Sequence, residues 1–75
     1  MKKVVVTGGS GFIGSNLVKY LISKKFFVIN IDKLSYSSNL NINKELKNNK
    51  SYIFFKTDIN NKKKIIKILN RYKPI

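Results

Sequence analysis

Three glycines spaced as Gly9-x-Gly11-x-x-Gly14 constrain this chain more than any other feature. They follow the short apolar run Val4-Val5-Val6 and precede a segment in which Ile13, Leu17 and Leu21, then Val18 and Ile22, recur at helical spacing. A strand from Lys2 to Thr7 therefore passes through a turn at Gly8 to Gly11 into a helix running to about Ser23. The glycine types suit such a junction. Gly9 permits the tight turn, Gly11 has no Cβ to block the approach of a pyrophosphate, and Gly14 lets the helix pack closely on the strand.

Beyond the turn the pattern alternates. Phe26 to Ile31 reads as a second strand apolar on both faces, and Leu34 to Asn41 as a polar loop. A short weak helix is expected over Ile42 to Asn48 and a third strand over Lys50 to Thr57. Asn60 or Asn61 caps a last helix carrying Ile65, Ile66, Ile68 and Leu69, which Pro74 stops. This order predicts right-handed crossovers and a parallel sheet covered on both sides. The fold class is α/β: the N-terminal half of a Rossmann fold, with three parallel strands in the order 3-2-1 and helices packed on them. In the complete fold strand 1 is central, and here nothing is left to pair with its outer edge. Residues 1–75 thus read as the truncated N-terminal part of an NAD-binding domain, the rest of that domain and a substrate domain lying elsewhere.

The helix that opens at the glycines points its first N–H groups at whatever sits above the turn, and its dipole favours an anion there. Asp32, at the end of the second strand, is placed to accept hydrogen bonds from ribose hydroxyls. Its charge would repel a 2′-phosphate, so NAD is expected over NADP. Asp58 ends the third strand at the edge that borders an adenine, where it can accept from the amino group or simply cap a turn.

Composition removes other classes. There is no cysteine or histidine, and the three acidic residues, Asp32, Glu45 and Asp58, are scattered, so no metal site is expected. No apolar run is long enough for a signal peptide core or a membrane span, and a soluble cytoplasmic protein is the expectation. The formal net charge is +13, from 16 basic and 3 acidic residues. The excess is nearly all lysine, accompanied by many asparagines and isoleucines, which share A/T-rich codons. Codon drift accounts for this without a nucleic-acid surface, which more often uses arginine.

The motif Thr7-Gly8-Gly9-Ser10-Gly11-Phe12-Ile13-Gly14 resembles the signature of the extended short-chain dehydrogenase/reductase family. Asp32-Lys33-Leu34-Ser35-Tyr36-Ser37-Ser38-Asn39-Leu40 is similar to the Asp-Lys-Leu-Thr-Tyr-Ala-Gly-Asn-Leu block of its dTDP-glucose 4,6-dehydratase branch. Thr57-Asp58-Ile59 is similar to that branch's Gly-Asp-Ile. The resemblance runs from Met1 to Pro74. It implies that Gly8, Gly9, Gly11, Phe12, Ile13 and Gly14 lie at the NAD pyrophosphate. Asp32, Lys33, Leu34 and Ser35 would line the adenosine ribose, and Asp58 and Ile59 the adenine. The departures are Ser37 and Ser38 in place of Ala-Gly, and Thr57 in place of glycine, which would crowd the adenine edge.

The resemblance further implies an NAD-dependent lyase of nucleotide-sugar metabolism, homodimeric, with neither nucleic-acid nor membrane partners. It would oxidise C4 of the hexose in dTDP-glucose, eliminate water across C5 and C6, and return the hydride to C6, leaving a 4-keto-6-deoxy sugar. The family's catalytic Tyr-x-x-x-Lys pair falls outside this region. Two local imitations fail: Tyr20 and Lys24 are helix neighbours, but Lys24 lies about 15 Å along the helix from the phosphate end, and Tyr52 and Lys56 are about 13 Å apart along a strand. This chain alone is expected to hold no catalytic residue. A related epimerase or decarboxylase is the alternative within the family. A small basic RNA-binding module stacking bases on Tyr36, Tyr52, Phe54 and Phe55 is the alternative outside it.

Overall fold

Three β-branched residues, Val4, Val5 and Val6, cannot all face one side of an extended chain, so a strand built from them needs cover on both faces. The computed structural model, which describes residues 1–34 and 41–75, supplies it. Strand β1 (Lys3–Thr7) leads into helix α1 (Phe12–Ser23), followed by β2 (Phe27–Asp32), the short α2 (Asn41–Glu45), β3 (Tyr52–Lys56) and α3 (Lys62–Tyr72). The strands form one parallel sheet ordered β1-β2-β3, with Val5 opposite Ile29 and Ile29 opposite Ile53. The middle strand is β2, buried from Val28 to Asp32. The α/β architecture and the 3-2-1 order are as the sequence predicts.

Alternate residues feed two cores. On the α1 side Val6, Val28 and Tyr52 pack with Val18 of α1, joined by Val4, Leu21, Ile22 and Phe54. On the α3 side Ile29 and Ile31 pack with Ile68, joined by Val5, Ile53, Phe55 and Ile65. Each fully buried aliphatic contributes roughly 1.5–3 kcal/mol. Phe27 and Phe55 close the far end against Tyr72, with ring centroids 6.1 and 6.0 Å away. The expected aromatic platform of an RNA-binding module is thus spent in the interior: Tyr52 is buried, and Phe54 and Phe55 pack into the two cores. Tyr36 lies outside the described residues.

The apolar stripe expected on α1 is divided. Val18, Leu21 and Ile22 face the sheet, whereas Ile13 is 82% exposed and Leu17 is exposed too. Each step along a helix turns about 100°, so Leu17 cannot share the inward direction of Val18. On α3, Ile65 and Ile68 point inward while Ile66 and Leu69 are exposed. Among the described residues no strand covers the outer edge of β1, although the Ile75 N–H donates to the Lys3 carbonyl at 3.0 Å.

The two long helices end in different ways. On α3, Asn61 caps the N-terminus by accepting from the Lys64 N–H at 3.3 Å, as expected for one of the two candidate caps. On α1, Lys25 N–H bonds to the Ile22 carbonyl and Phe26 N–H to the Leu21 carbonyl, the paired return of a Schellman motif. The motif needs a left-handed residue, and Lys25 takes it with φ 71°. A β-carbon in that region costs about 1 kcal/mol. Lys25→Gly should therefore raise stability by about 1 kcal/mol, read as a higher urea midpoint at unchanged slope; a lower midpoint would show that the Lys25 side chain stabilises more than its backbone strains.

Candidate functional site

The glycine turn owes its shape to two glycines with different duties. Gly8 adopts φ +70°, the left-handed conformation that bends the chain out of β1, and a Cβ there would meet nothing within 4 Å. Gly9, expected to make that bend, instead lies where a Cβ would strike the Asn30 side chain, its Cγ 2.6 Å away. The left-handed residue is thus Gly8, and Gly9 is small because Asn30 lies beneath it. Gly14 packs against the turn more directly than against a strand: a Cβ on it would lie 3.0 Å from Gly8 C and Gly9 Cα and still nearer to Gly8 O. Gly11 is less crowded, and its Cβ would sit 3.3 Å from Gly8 O.

Bonds on three sides hold this loop. Gly8 N–H donates to the Ile31 carbonyl at 2.9 Å, Gly9 N–H to Asn30 Oδ1 at 2.9 Å, and Ser10 N–H to Asp32 Oδ2 at 3.0 Å. Gly11 then serves as the N-cap of α1 with no side chain to offer, and the first turn carries no acidic residue. The first intrahelical bond runs from Ser15 N–H to the Gly11 carbonyl at 2.8 Å, which leaves the N–H groups of Phe12, Ile13 and Gly14 ahead of it. The positive end of the helix dipole faces outward unneutralised, which is the arrangement that binds anions. The Phe12 and Ile13 side chains are exposed.

Beside the turn, at the C-terminal ends of all three strands, a cleft of about 340 Å³ opens. Its walls are Thr7 and Gly8 after β1, Ile31, Asp32 and Lys33 after β2, and Thr57, Asp58, Ile59 and Asn60 after β3. Ligands of open α/β sheets bind at this end of the strands. Asp32 is buried, with Oδ2 held by Ser10 N–H and Oδ1 by Leu34 N–H at 2.8 Å. Each carboxylate oxygen keeps a second acceptor position. Asp32 is therefore both a candidate ribose acceptor and the clamp between glycine turn and β2, a second duty that sequence reasoning did not anticipate. Leu34 takes φ 60° to make its bond.

Asp58 is exposed and accepts from Asn60 N–H at 2.8 Å, the turn-capping role weighed against the adenine role, and the residue also lines the cleft. Ile59 is exposed at the rim. Thr57 is buried in the wall, its N–H donating to the Asp32 carbonyl at 3.1 Å, so the residue that replaces the family's glycine is part of the cleft. Ser35, Ser37 and Ser38 lie outside the described residues.

Neither tyrosine–lysine pair is a catalytic dyad. The Lys24 ammonium sits over the Tyr20 ring, 5.5 Å from its centroid, in the last turns of α1 and away from the cleft. The Tyr52 hydroxyl accepts from Asn30 Nδ2 at 2.9 Å and donates to Asn43 Oδ1. Sequence reasoning missed this buried polar group. Its signal was Asn30 itself, the one amide among the apolar residues Phe27 to Ile31 of the strand that becomes the centre of the sheet. Burial pushes the Tyr52 phenol above its ordinary 10.0, the hydrogen bond from Asn30 opposes that, and the Asp32 charge reinforces it.

A raised phenol carries a pH signature. Well below pH 10 folded and unfolded chains both keep the proton, and the full contribution is present. Above that the unfolded tyrosine ionises first, so stability falls as pH rises toward the folded value. The wild type should thus lose stability above pH 10 more steeply than Tyr52→Phe, measured as urea midpoints across that range. Parallel curves would mean that Tyr52 titrates alike in both states.

Among the described residues there is no cluster of acidic side chains able to hold a metal ion, and no helix is long and apolar enough to cross a membrane. Residues 5–75 match the family model described as GDP-mannose 4,6 dehydratase. The chain is 48% identical over 75 residues to the dTDP-glucose 4,6-dehydratase of Haemophilus influenzae, covering 99% of this chain and 22% of that one. It superposes with a TM-score of 0.91 and 36% identity on the dTDP-glucose 4,6-dehydratase of Bacillus anthracis solved in complex with NAD, covering 99% of this chain and 24% of that one. The UDP-glucose 4-epimerase of Thermotoga maritima, solved with UDP-glucose, superposes with a TM-score of 0.81 and 32% identity, covering 96% and 21%. The chain thus spans about a fifth to a quarter of the length of these relatives.

Proposed function

Because this chain belongs to the GDP-mannose 4,6 dehydratase family, we propose that it forms the adenosine and pyrophosphate end of an NAD site in a dTDP-glucose 4,6-dehydratase. One observation carries the reading: Gly8 of the glycine turn and the buried Asp32 line one cleft at the C-terminal ends of the strands, and the uncapped N-terminus of α1 follows directly on that turn. The residues fit the cofactor. Gly8 is open above the turn, Gly11 carries no side chain, and the N–H groups of Phe12, Ile13 and Gly14 precede the first intrahelical bond, where an anion is favoured. Asp32 accepts from the ribose hydroxyls with the acceptor positions that Ser10 and Leu34 do not use. Lys33 continues that wall, with Leu34 and Ser35 next along the chain toward the ribose, and Asp58 and Ile59 border the adenine.

When bound, NAD supplies a nicotinamide that takes up a hydride and gives it back. This chain's part is to bind and orient the cofactor, with Gly9 and Gly14 as the residues that let turn and helix close up. The proton-transfer groups belong to other parts of the enzyme. The proposed substrate is dTDP-glucose and the product its 4-keto-6-deoxy derivative, supported by the relatives' activity and by the Asp32 to Leu40 block. The reading extends to a cytoplasmic homodimer without nucleic-acid or membrane partners, which family likeness supports.

Calorimetric titration of the chain with NAD, NADP and an RNA oligonucleotide at two salt concentrations tests the binding reading. NAD should bind in preference to NADP by about tenfold or more, with little salt dependence, since one carboxylate sets the choice. Equal affinity for NADP would remove Asp32 from the site. Tight RNA binding that falls steeply with salt would favour the basic-module alternative. The intact enzyme converting dTDP-glucose, and not epimerising a UDP-hexose, would separate dehydratase from epimerase.

A further inference from the structure

Asn30 has no part in the cofactor contacts proposed above, yet its side chain is better connected than any other near the turn. It is wholly buried between Ile29 and Ile31 in β2. A buried amide is tolerated only when its polar atoms are bonded. Here Oδ1 accepts from Gly9 N–H at 2.9 Å, and Nδ2 donates to Ser10 Oγ at 3.1 Å and to Tyr52 Oη at 2.9 Å. Asn43 on α2 completes a ring by donating to the same Ser10 Oγ at 3.2 Å and accepting from the Tyr52 hydroxyl. Ser10, also fully buried, is itself part of the glycine turn. Four side chains from the turn, β2, α2 and β3 thus close one hydrogen-bonded circuit directly under Gly9, whose missing Cβ leaves the space that the Asn30 amide fills.

We propose that this ring is a positioning device: Asn30, held by Tyr52 and Asn43, sets the height and direction of the Gly9–Gly11 backbone so that the α1 N–H groups meet a pyrophosphate. The ring touches no ligand. Its members act through the turn, and the reading rests on the nucleotide site proposed above. A ring that merely stabilised the sheet would affect all ligands of the cleft alike. A positioning ring affects those that carry a pyrophosphate and spares those that do not.

The test compares wild type, Asn43→Ala and Tyr52→Phe, with Asn30→Ala as the severe variant. The two milder changes keep every backbone bond of the sheet. Amide hydrogen exchange on the free chain comes first. Gly9 and Ser10 should exchange about tenfold faster in the variants while Val28 and Ile29 are unchanged. Titration with ADP and with adenosine comes second. ADP should weaken about fivefold and adenosine stay the same, the loss expected for misplacing one or two charge-assisted bonds. Unchanged exchange at Gly9 and Ser10, or equal weakening of ADP and adenosine, would overturn the positioning role. A wild type that binds neither ligand would defeat the nucleotide reading instead, and the exchange result would still decide whether the ring holds the turn.

Discussion

Replacing Gly14 with alanine should destabilise the chain by about 3 kcal/mol and abolish measurable NAD binding. Alanine in place of glycine inside a helix ordinarily stabilises by about 1 kcal/mol, so the expected sign is the reverse of the propensity rule. The reason is what the new methyl group meets. It would be driven into Gly8 O, with Gly8 C and Gly9 Cα 3.0 Å away. All three are backbone atoms and cannot rotate aside. Relief requires α1 to lift from the turn, and the turn is tied down by Gly8 N–H to Ile31, Gly9 N–H to Asn30 and Ser10 N–H to Asp32. Chains of this length have little stability to spare. Chemical denaturation followed by circular dichroism measures the effect, and a variant within 1 kcal/mol of wild type that still binds NAD would show the turn to be far more compliant than its bonding implies. Gly8→Ala is the useful contrast: it meets no atom and bears only the left-handed φ, about 1 kcal/mol.

Asp32→Ala should lower NAD affinity about fiftyfold and stability by about 2 kcal/mol, because the carboxylate that ties the turn to β2 is also the proposed ribose acceptor. Structurally, the change strips the acceptor from Ser10 N–H and Leu34 N–H, and with it the bond that holds Leu34 at φ 60°. In binding, it removes the proposed ribose acceptor and with it the charge proposed to exclude a 2′-phosphate, so the preference for NAD over NADP should shrink as well. Asp32→Asn gives only partial rescue, since an amide offers one oxygen where two N–H groups require two acceptors. Titration of both variants with NAD and NADP, beside denaturation curves, separates the effects. Lost stability with undiminished NAD affinity would make Asp32 a clamp and nothing more.

The alternation of elements was legible because it is written in local periods. The valines of β1, the helical spacing of α1 and a cap at Asn60 or Asn61 all sit within a few residues of the features that define them. Gly14 was legible for the same reason, three residues from Gly11 at a strand-to-helix junction. The outward turn of Ile13 and Leu17 was not. Helical spacing says that residues share a side, and which side meets the sheet depends on where the sheet lies.

Near the cleft the division follows the same logic. Sequence alone determined that a glycine turn precedes a helix, that an acid ends the next strand, and that a second acid follows the third. Those relations hold along the chain, and the local geometry of a strand or helix transmits them. Only the tertiary structure decided that Gly8 rather than Gly9 carries the left-handed bend, that Asp32 holds Ser10 as well as facing the cleft, and that Asn30, Ser10, Asn43 and Tyr52 close a ring beneath the turn. Each of these depends on atoms brought together from strands and helices far apart in the chain. A buried hydrogen bond is decided by position and direction within fractions of an ångström, and no spacing of residue types encodes that until the sheet has placed β2 between its neighbours.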